Sequence, residues 1–239
     1  MTVYYYLLLF LLLSAIIIIS VKTGKLTLIG AIIGGVVAIM IFSGAGYTGL
    51  SMLAAFFVLG TIATSWKKDE KQQAKSIKDQ SVKRNSGQVI ANGGVAAIMG
   101  MLVFFLPEKT ELLRLMMAAS LASAMADTLS SELGIIYGRR FFNIITLRIE
   151  ERGLDGVISI EGTVIGIIGS AVIALIYAIG FGWDIRVLFI IIAGTLGNLS
   201  DSVLGALLER KHYLNNNAVN FLNTLIAALA GGICLMLFG

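Results

Sequence analysis

Long apolar runs follow one another along almost the whole chain, and each is long enough to cross a membrane as a helix. Eight such runs lie at 4–20, 26–42, 49–65, 89–106, 112–134, 163–181, 187–208 and 217–238. About 20 apolar residues are needed to cross a hydrocarbon core of about 30 Å. Only 13% of the residues are charged, whereas soluble domains contain about 25%. The sequence therefore predicts an all-α fold, a polytopic bundle of about eight transmembrane helices that forms one integral membrane domain at 1–239.

Basic residues are concentrated in the loops on one side of the predicted bundle. Most of the 18 Lys and Arg residues follow odd-numbered runs, whereas the other side holds Lys109, Arg114 and Arg186. Because cytoplasmic loops of membrane proteins are enriched in Lys and Arg, this distribution predicts cytoplasmic odd loops and extracytoplasmic termini. The predicted domain consists of three N-terminal spans at 1–65, a basic cytoplasmic loop at 66–88 and a five-span catalytic core at 89–239. We expect a bacterial-type inner membrane and an active site that faces the cytoplasm.

The scarcity of reactive side chains excludes several kinds of chemistry. A single cysteine, Cys234, leaves no disulfide framework and no thiol pair. A single histidine, His212, excludes histidine-rich metal sites and disfavours a Ser-His-Asp triad. We expect His212 to be exposed at the membrane interface, the basic segment at 67–78 to attract anionic lipid headgroups, and nucleic acid not to be a partner. Any chemistry must come from carboxylates, amides, hydroxyls, Lys and Arg.

Three carboxylates interrupt the apolar runs. Asp127 and Glu132 lie in the run at 112–134, and Asp201 lies in the run at 187–208. A carboxylate inside a membrane is costly unless it faces a cavity, a cation or a partner. Interhelical hydrogen bonding is an alternative role for Asp127 and Asp201, but neither has a Lys or Arg at the same depth. The pattern favours a divalent cation or phosphate site, and Mg²⁺ suits it because proteins often bind this ion through one or two carboxylates together with substrate phosphates.

Other polar residues lie at the predicted cytoplasmic ends of the helices. Lys83, Arg84 and Asn85 precede the fourth helix, whose exposed N-terminal amides favour an anion, so we expect phosphate contact there. In the loop at 138–163, Asp155 and Glu161 precede another helix start, and the alternative there is a turn followed by a Ser or Thr cap. Amide side chains expected on the same side are those of Gln88, Asn92, Asn198, Asn217 and Asn220.

Six segments resemble the signature blocks of the integral membrane phytyl-phosphate kinase family. They are KRNSGQVIANG at 83–93, ADTLSSELG at 126–134, IIT at 144–146, DGVISIEGT at 155–163, GNLSDSVLG at 197–205 and NNAVNFL at 216–222. The blocks follow the order of the family. The resemblance implies that phytyl phosphate, or a related geranylgeranyl or farnesyl phosphate, is converted to the diphosphate with a nucleoside triphosphate donor, CTP being favoured.

The resemblance and the residue chemistry together suggest roles for residues in these blocks and for Arg148, which lies between two of them. Predicted catalytic residues are Asp127, Asp201, Glu132, Lys83 and Arg84, and Mg²⁺ is expected at Asp127, Asp201 and Glu161. Substrate or nucleotide binding is expected at Asn85, Gln88, Asn92, Thr128, Ser131, Thr146, Arg148, Asp155, Gly156, Ser159, Glu161, Thr163, Asn198, Asn217 and Asn220. The expected partners are CTP or another nucleoside triphosphate, an isoprenoid monophosphate and membrane lipids, and a homodimer is left open.

Two other functions are compatible with these residues. A lipid-phosphate cytidylyltransferase would also use CTP but would release pyrophosphate instead of CDP. A transporter would explain the buried acids, and the similar surroundings of Asp127 and Asp201 hint at a weak internal repeat. However, a transporter site is expected near the middle of the membrane. Here the polar residues crowd one side, which favours chemistry on a cytosolic nucleotide.

Overall fold

The computed structural model describes residues 3–74 and 83–239, and within them almost all secondary structure is helical. The helices are α1 Val3–Lys22, α2 Leu28–Ser65, α3 Lys68–Ala74, α4 Ser86–Phe105, α5 Thr110–Tyr137, α6 Ile160–Phe181, α7 Arg186–Leu204 and α8 Asn216–Phe238. A 3₁₀ turn at Pro107–Lys109 precedes α5, and a π-helical turn at Gly205–Glu209 extends α7. In the described part of the chain, six helices are long and apolar enough to cross a membrane: α2, α4, α5, α6, α7 and α8. The predicted all-α polytopic membrane bundle is confirmed.

The segment α2 consists of two helical arms that fold back on each other as a hairpin. At about 1.5 Å per residue, a straight helix of its 38 residues would be about 57 Å long. However, Lys25, just before α2, donates a hydrogen bond to the Ser65 hydroxyl at its end over 3.0 Å. The reversal lies at Gly46, whose φ of 57° and ψ of −144° are not helical. The apolar runs predicted at 26–42 and 49–65 lie in the two arms, while the number of spans and the side of the termini stay predictions.

The hairpin requires glycine at Gly46. Residues with a side chain rarely adopt this backbone conformation, although a Cβ here would meet no atom within 4 Å. We expect Gly46→Ala to lower the free energy of unfolding by about 1–3 kcal/mol. Gly34→Ala is the matched control, because Gly34 is helical and its Cβ would only touch Val89 at 3.9 Å. Thermal unfolding in detergent measures both variants, and equal midpoints would contradict this account of the turn.

Helix α5 lies at the centre of the bundle. It contacts α2, α4, α6, α7 and α8, and its residues between Met117 and Ala126 are fully buried. Most of these residues are Ala or Ser, so the neighbouring helices approach its backbone closely, as small residues allow in membrane bundles. The central position of α5 brings Asp127, one residue beyond this stretch, next to several helices at once.

Four helix N-termini share one end of the bundle, here called the polar end. Each is capped by a side-chain oxygen that accepts a hydrogen bond from a backbone amide. The caps are Thr27 for α2, Asn85 for α4, Ser159 for α6 and Asn215 for α8. Helices α5 and α7 end at the same place: Gly134 near the end of α5 packs on Gly162 at the start of α6, and Gly205, just after α7, packs on Gly156 in the loop that leads to α6.

The loop between α5 and α6 is ordered by a short sheet. Strands β1 (Phe142–Asn143) and β2 (Val157–Ile158) pair antiparallel, with Phe142 opposite Ile158. The Asn143 side chain is buried and donates to Glu150 over 3.0 Å. Both ends of the loop are therefore fixed at the polar end.

Candidate functional site

A cavity of about 990 Å³ lies at the polar end, between α4, α5, α6, α7, α8 and the loop that joins α5 to α6. Most of the predicted site residues line it. They are Arg84, Gln88, Asn92, Asp127, Thr128, Ser131, Glu132, Asp155, Gly156, Ser159, Thr163, Asn198, Asp201 and Asn220. The polar faces of separate helices thus converge on one space, as the sequence predicts.

Asp127 and Asp201 meet inside this cavity. Their carboxyl groups lie within hydrogen-bonding reach of each other, and Asp155 is near enough to interact electrostatically with Asp201. The Asn223 amide donates to Asp201 over 2.6 Å, and its carbonyl oxygen accepts a 3.0 Å hydrogen bond from the Ser123 hydroxyl. Two carboxylates in contact repel each other unless a proton or a cation lies between them. The pair is therefore a candidate cation site held in place by a buried network.

The side chains present fit a Mg²⁺ ion that takes its remaining ligands from the substrate and from water. They do not fit an ion coordinated by the protein alone. Within residues 3–74 and 83–239, no group of three or more Asp, Glu, His or Cys side chains is arranged to hold a metal ion. Mg²⁺ is usually held by one or two carboxylates together with phosphates and water, which matches the pair Asp127 and Asp201. Glu161, which was also predicted to bind Mg²⁺, does not line the cavity. Its carboxylate instead accepts a hydrogen bond from the Arg139 backbone amide over 3.3 Å.

Asn92 presents an unused acceptor at this cavity. Its amide nitrogen donates to the Gln88 carbonyl over 2.9 Å, whereas its Oδ1 is buried and finds no hydrogen-bond partner within residues 3–74 and 83–239. Such an orphaned buried acceptor is rare because it costs about 1–3 kcal/mol. A bound cation or hydrogen-bond donor would remove this cost.

Arg84 places a positive charge on the cavity wall. Its guanidinium stacks over the Phe56 ring with 5.3 Å between its central carbon and the ring centroid, and it lies against Gly60. Burial lowers the pKa of Arg84, and the nearby Glu132 carboxylate opposes that effect. An arginine nevertheless stays charged in proteins, and its fork of donors suits phosphate oxygens.

Glu132 is engaged by a lysine that the sequence interpretation did not single out. Lys71 lies in the segment predicted to attract lipid headgroups, but its side chain is 5% exposed and pairs with Glu132 over 2.6 Å. The same ammonium donates to the Ala63 and Thr64 carbonyls over 2.7 and 2.9 Å. Lys67 and Lys68 are exposed as expected, while Lys75 and Lys78 lie outside the described residues.

Six residues predicted to belong to the site do not line the cavity: Lys83, Asn85, Thr146, Arg148, Glu161 and Asn217. Asn85 forms a capping box with Gln88, so each side chain satisfies the other's backbone amide over 3.0 Å. That cap occupies amides predicted to be free for an anion. Lys83 is exposed, and Thr146 and Arg148 lie on an exposed turn of the loop. The Asn217 amide packs against Gly87 instead.

Arg210 fastens the loop over the cavity. Its guanidinium donates to the Asp155 carbonyl and pairs with Glu150 over 2.8 Å, which lowers the pKa of the Glu150 carboxyl. Its position follows from the π-helical turn, a feature often found at functional sites. Gly156, at φ +73°, packs directly on Ala206 of this turn, where a Cβ would come within 2.4 Å.

Several lining residues were missed by the sequence interpretation. Ser130 donates to Asn198 over 2.9 Å, and Asn223, which is fully buried behind the cavity lining, donates to Asp201. Asn223 follows Asn216 and Asn220 at helical spacing, and this stripe was a signal that could have revealed it. Further lining residues that had no predicted role in the site are Glu209, Arg210, His212 and Asn216. His212 is exposed, as predicted, at the cavity edge.

Comparisons with known proteins identify relatives across most of the chain. A family model described as integral membrane protein DUF92 matches residues 11–228. A membrane protein of Methanocaldococcus jannaschii is 36% identical over 187 residues, covering 78% of this chain and 76% of that protein. One from Synechocystis is 32% identical over 202 residues, covering 83% and 78%. Protein VTE6, chloroplastic, from Arabidopsis thaliana is 28% identical over 191 residues, covering 77% and 57%. No solved structure is significantly similar.

Proposed function

The chain belongs to the DUF92 family of integral membrane proteins, and on that premise we propose that it is a prenyl-phosphate kinase. It moves the γ-phosphate of a nucleoside triphosphate, CTP being favoured, onto a membrane-embedded isoprenoid monophosphate to give the diphosphate. The similarity to VTE6 supports the resemblance to the phytyl-phosphate kinase family. The observation that carries the proposal is the contact between Asp127 and Asp201 in a cavity that Arg84 also lines.

The acceptor needs no base from the protein. The second pKa of a phosphate monoester is about 6, so near neutral pH a prenyl phosphate is largely dianionic. One of its oxygens forms a bond to the γ-phosphorus while the bond from that phosphorus to the β,γ-bridging oxygen breaks. The nucleoside diphosphate leaves with the electron pair, and no proton transfer is required. A site without a buried histidine is sufficient for such a step.

The residues of the cavity supply positioning and charge neutralisation. Arg84 binds phosphate oxygens, the Asn198 and Asn220 side chains orient them, and the Asn92 acceptor oxygen would contact a bound cation or a hydrogen-bond donor. Asp127 and Asp201 would hold Mg²⁺, which when bound neutralises phosphate charge. Apolar residues that line the same cavity would contact the first isoprene units: Ile135, Phe141, Ile158 and Leu199. We propose that the cavity faces the cytoplasm, where the nucleotide is available.

The nucleotide product tests this proposal. Purified protein in lipid nanodiscs is incubated with Mg²⁺, CTP and a panel of prenyl monophosphates, and the products are separated by mass. The account predicts CDP together with a prenyl diphosphate. Release of pyrophosphate with a CDP-linked lipid would instead identify a cytidylyltransferase. No turnover with any pair, combined with substrate flux in liposomes, would favour a transporter.

Arg84 and its neighbour Lys83 are expected to differ sharply. Both were predicted from the sequence to be catalytic, but only Arg84 lines the cavity. We expect Arg84→Gln to lower kcat/KM by about 30-fold, which corresponds to the loss of about 2 kcal/mol from a charged hydrogen bond. Lys83→Gln should cost less than about threefold, as exposed charges do. Equal losses in the two variants would refute the assignment of the phosphate contact to Arg84.

A further inference from the structure

The turn at 144–149 exposes an apolar surface outside the cavity. Ile145, Leu147 and Ile149 are 45%, 72% and 83% exposed. They alternate along the chain with Thr146 and Arg148, which were predicted from the sequence to bind substrate but do not line the cavity. The proposed reaction uses none of these residues. Three large aliphatic side chains on one short turn need an apolar partner.

The turn is rigid because it is built around Asn143. The buried side chain of Asn143 accepts hydrogen bonds from the Ile145 and Thr146 backbone amides over 2.9 and 3.1 Å. The backbone carbonyl of Asn143 accepts a third hydrogen bond from the Leu147 amide over 2.9 Å. Leu147 adopts φ +55°, a conformation that is uncommon for leucine. The surrounding hydrogen bonds hold this strained residue outward. A partner therefore meets a preformed surface and does not have to order it.

Basic side chains accompany the apolar ones. Arg148 lies between Leu147 and Ile149 and is exposed, and Arg139 and Arg140 are exposed where the loop begins. Aliphatic side chains flanked by arginines form the combination that binds the headgroup region of an anionic leaflet.

The two ends of the loop lie where such a leaflet is expected. Tyr137 ends α5, and its hydroxyl accepts a 2.9 Å hydrogen bond from the indole of Trp66 at the end of α2. Half-exposed Trp and Tyr side chains of this kind mark the membrane interface. Ile160, the first residue of α6, is 69% exposed. Exposure of this large aliphatic side chain indicates lipid contact at the other end of the loop. The turn is thus carried by a loop that leaves and re-enters the bundle at headgroup level.

We propose that the turn at 144–149 inserts Ile145, Leu147 and Ile149 into the lipid leaflet at the polar end, with Arg148 on anionic headgroups. The same loop carries Asp155 over the cavity, where Arg210 fastens it. Insertion therefore holds the loop that carries Asp155 against the membrane surface. Any lipid substrate of the cavity is dissolved in that membrane. The proposal does not depend on the reaction that the cavity performs.

The single cysteine allows a direct test. In a Cys234→Ala background, Leu147→Cys is labelled with a nitroxide in the full chain in liposomes, and Lys211→Cys is the matched control on another exposed loop of the polar end. Electron paramagnetic resonance measures accessibility to oxygen, which partitions into lipid, and to a water-soluble nickel chelate. We expect nickel accessibility at position 147 to be several-fold lower than at 211, and oxygen accessibility to be higher. Equal nickel accessibility at both positions would overturn the proposal.

The headgroup contact is tested separately. Adding phosphatidylglycerol to phosphatidylcholine liposomes should further lower the nickel accessibility at position 147, and Arg148→Gln should remove that dependence. Insertion that is insensitive to phosphatidylglycerol would overturn the assignment of Arg148 to anionic headgroups. Retention of the wild-type elution volume in detergent shows that each variant is folded.

Discussion

Asp127→Asn and Asp201→Asn should each lower the turnover of prenyl phosphate by at least about 100-fold, because removing charge that organises a phosphoryl transfer costs about 3 kcal/mol or more. Each substitution keeps the shape of the side chain but removes one carboxylate from the pair that would hold Mg²⁺. Asp184→Asn is the matched control, since Asp184 is bound by Arg186 and does not line the cavity. Its activity should stay close to that of the wild type.

A second measurement separates binding from turnover. Mg²⁺ with CTP should raise the thermal midpoint of the wild-type protein, because a ligand that binds only the folded state stabilises it. Asp127→Asn and Asp201→Asn should lose most of that increase. Variants that keep both the shift and the activity would show that the pair serves only to pack the helices.

Lys71→Met should destabilise the protein although Lys71 lies in a segment full of lysines. The substitution removes the ion pair that Lys71 forms with Glu132, whose side chain is 16% exposed, and it removes one hydrogen-bond donor from each of the Ala63 and Thr64 carbonyls. Breaking one side of a buried pair costs about 3–5 kcal/mol, and we expect about 3 kcal/mol because Arg84 lies near enough to offset part of the loss. For a chain of this length that is a fall of about 6–12 °C in the thermal midpoint.

Two further variants make this prediction specific. Lys68→Met removes an exposed lysine from the same short helix and should change the midpoint little. Lys71→Met combined with Glu132→Gln should recover part of the loss, because neither member of the Lys71–Glu132 pair then keeps its charge without the other. If Lys68→Met and Lys71→Met lower the midpoint equally, the pair with Glu132 does not stabilise the fold.

Hydrophobicity made the fold predictable from the sequence. The membrane requires long apolar helices, so the apolar runs located both arms of α2 and the helices α4 to α8. The reversal at Gly46 was not identified, because one glycine among 27 in the chain carries no distinguishing signal until its backbone conformation is known. The short sheet at 142–158 was also missed, since two-residue strands have no periodicity to detect.

The site was predictable where burial of a charge is costly. Asp127 and Asp201 stood out because a carboxylate in an apolar transmembrane helix is costly unless it faces a cavity, a cation or a hydrogen-bonding partner. Lys71 did not stand out, because its partner Glu132 is 61 residues away and a lysine among lysines resembles a solvated segment. Thr146 and Arg148 were assigned from the resemblance and from the polar character of their loop, and only the structure separates their exposed turn from the cavity.

The central claim is that the Asp127 and Asp201 pair serves phosphoryl transfer to an isoprenoid phosphate. The most direct measurement incubates the wild type and the two Asn variants with Mg²⁺, CTP radiolabelled at the γ-phosphate, and phytyl or geranylgeranyl phosphate. The account predicts labelled prenyl diphosphate from the wild type and almost none from either variant. Label that never reaches a prenyl phosphate, or reaches it equally in all three proteins, would contradict the account.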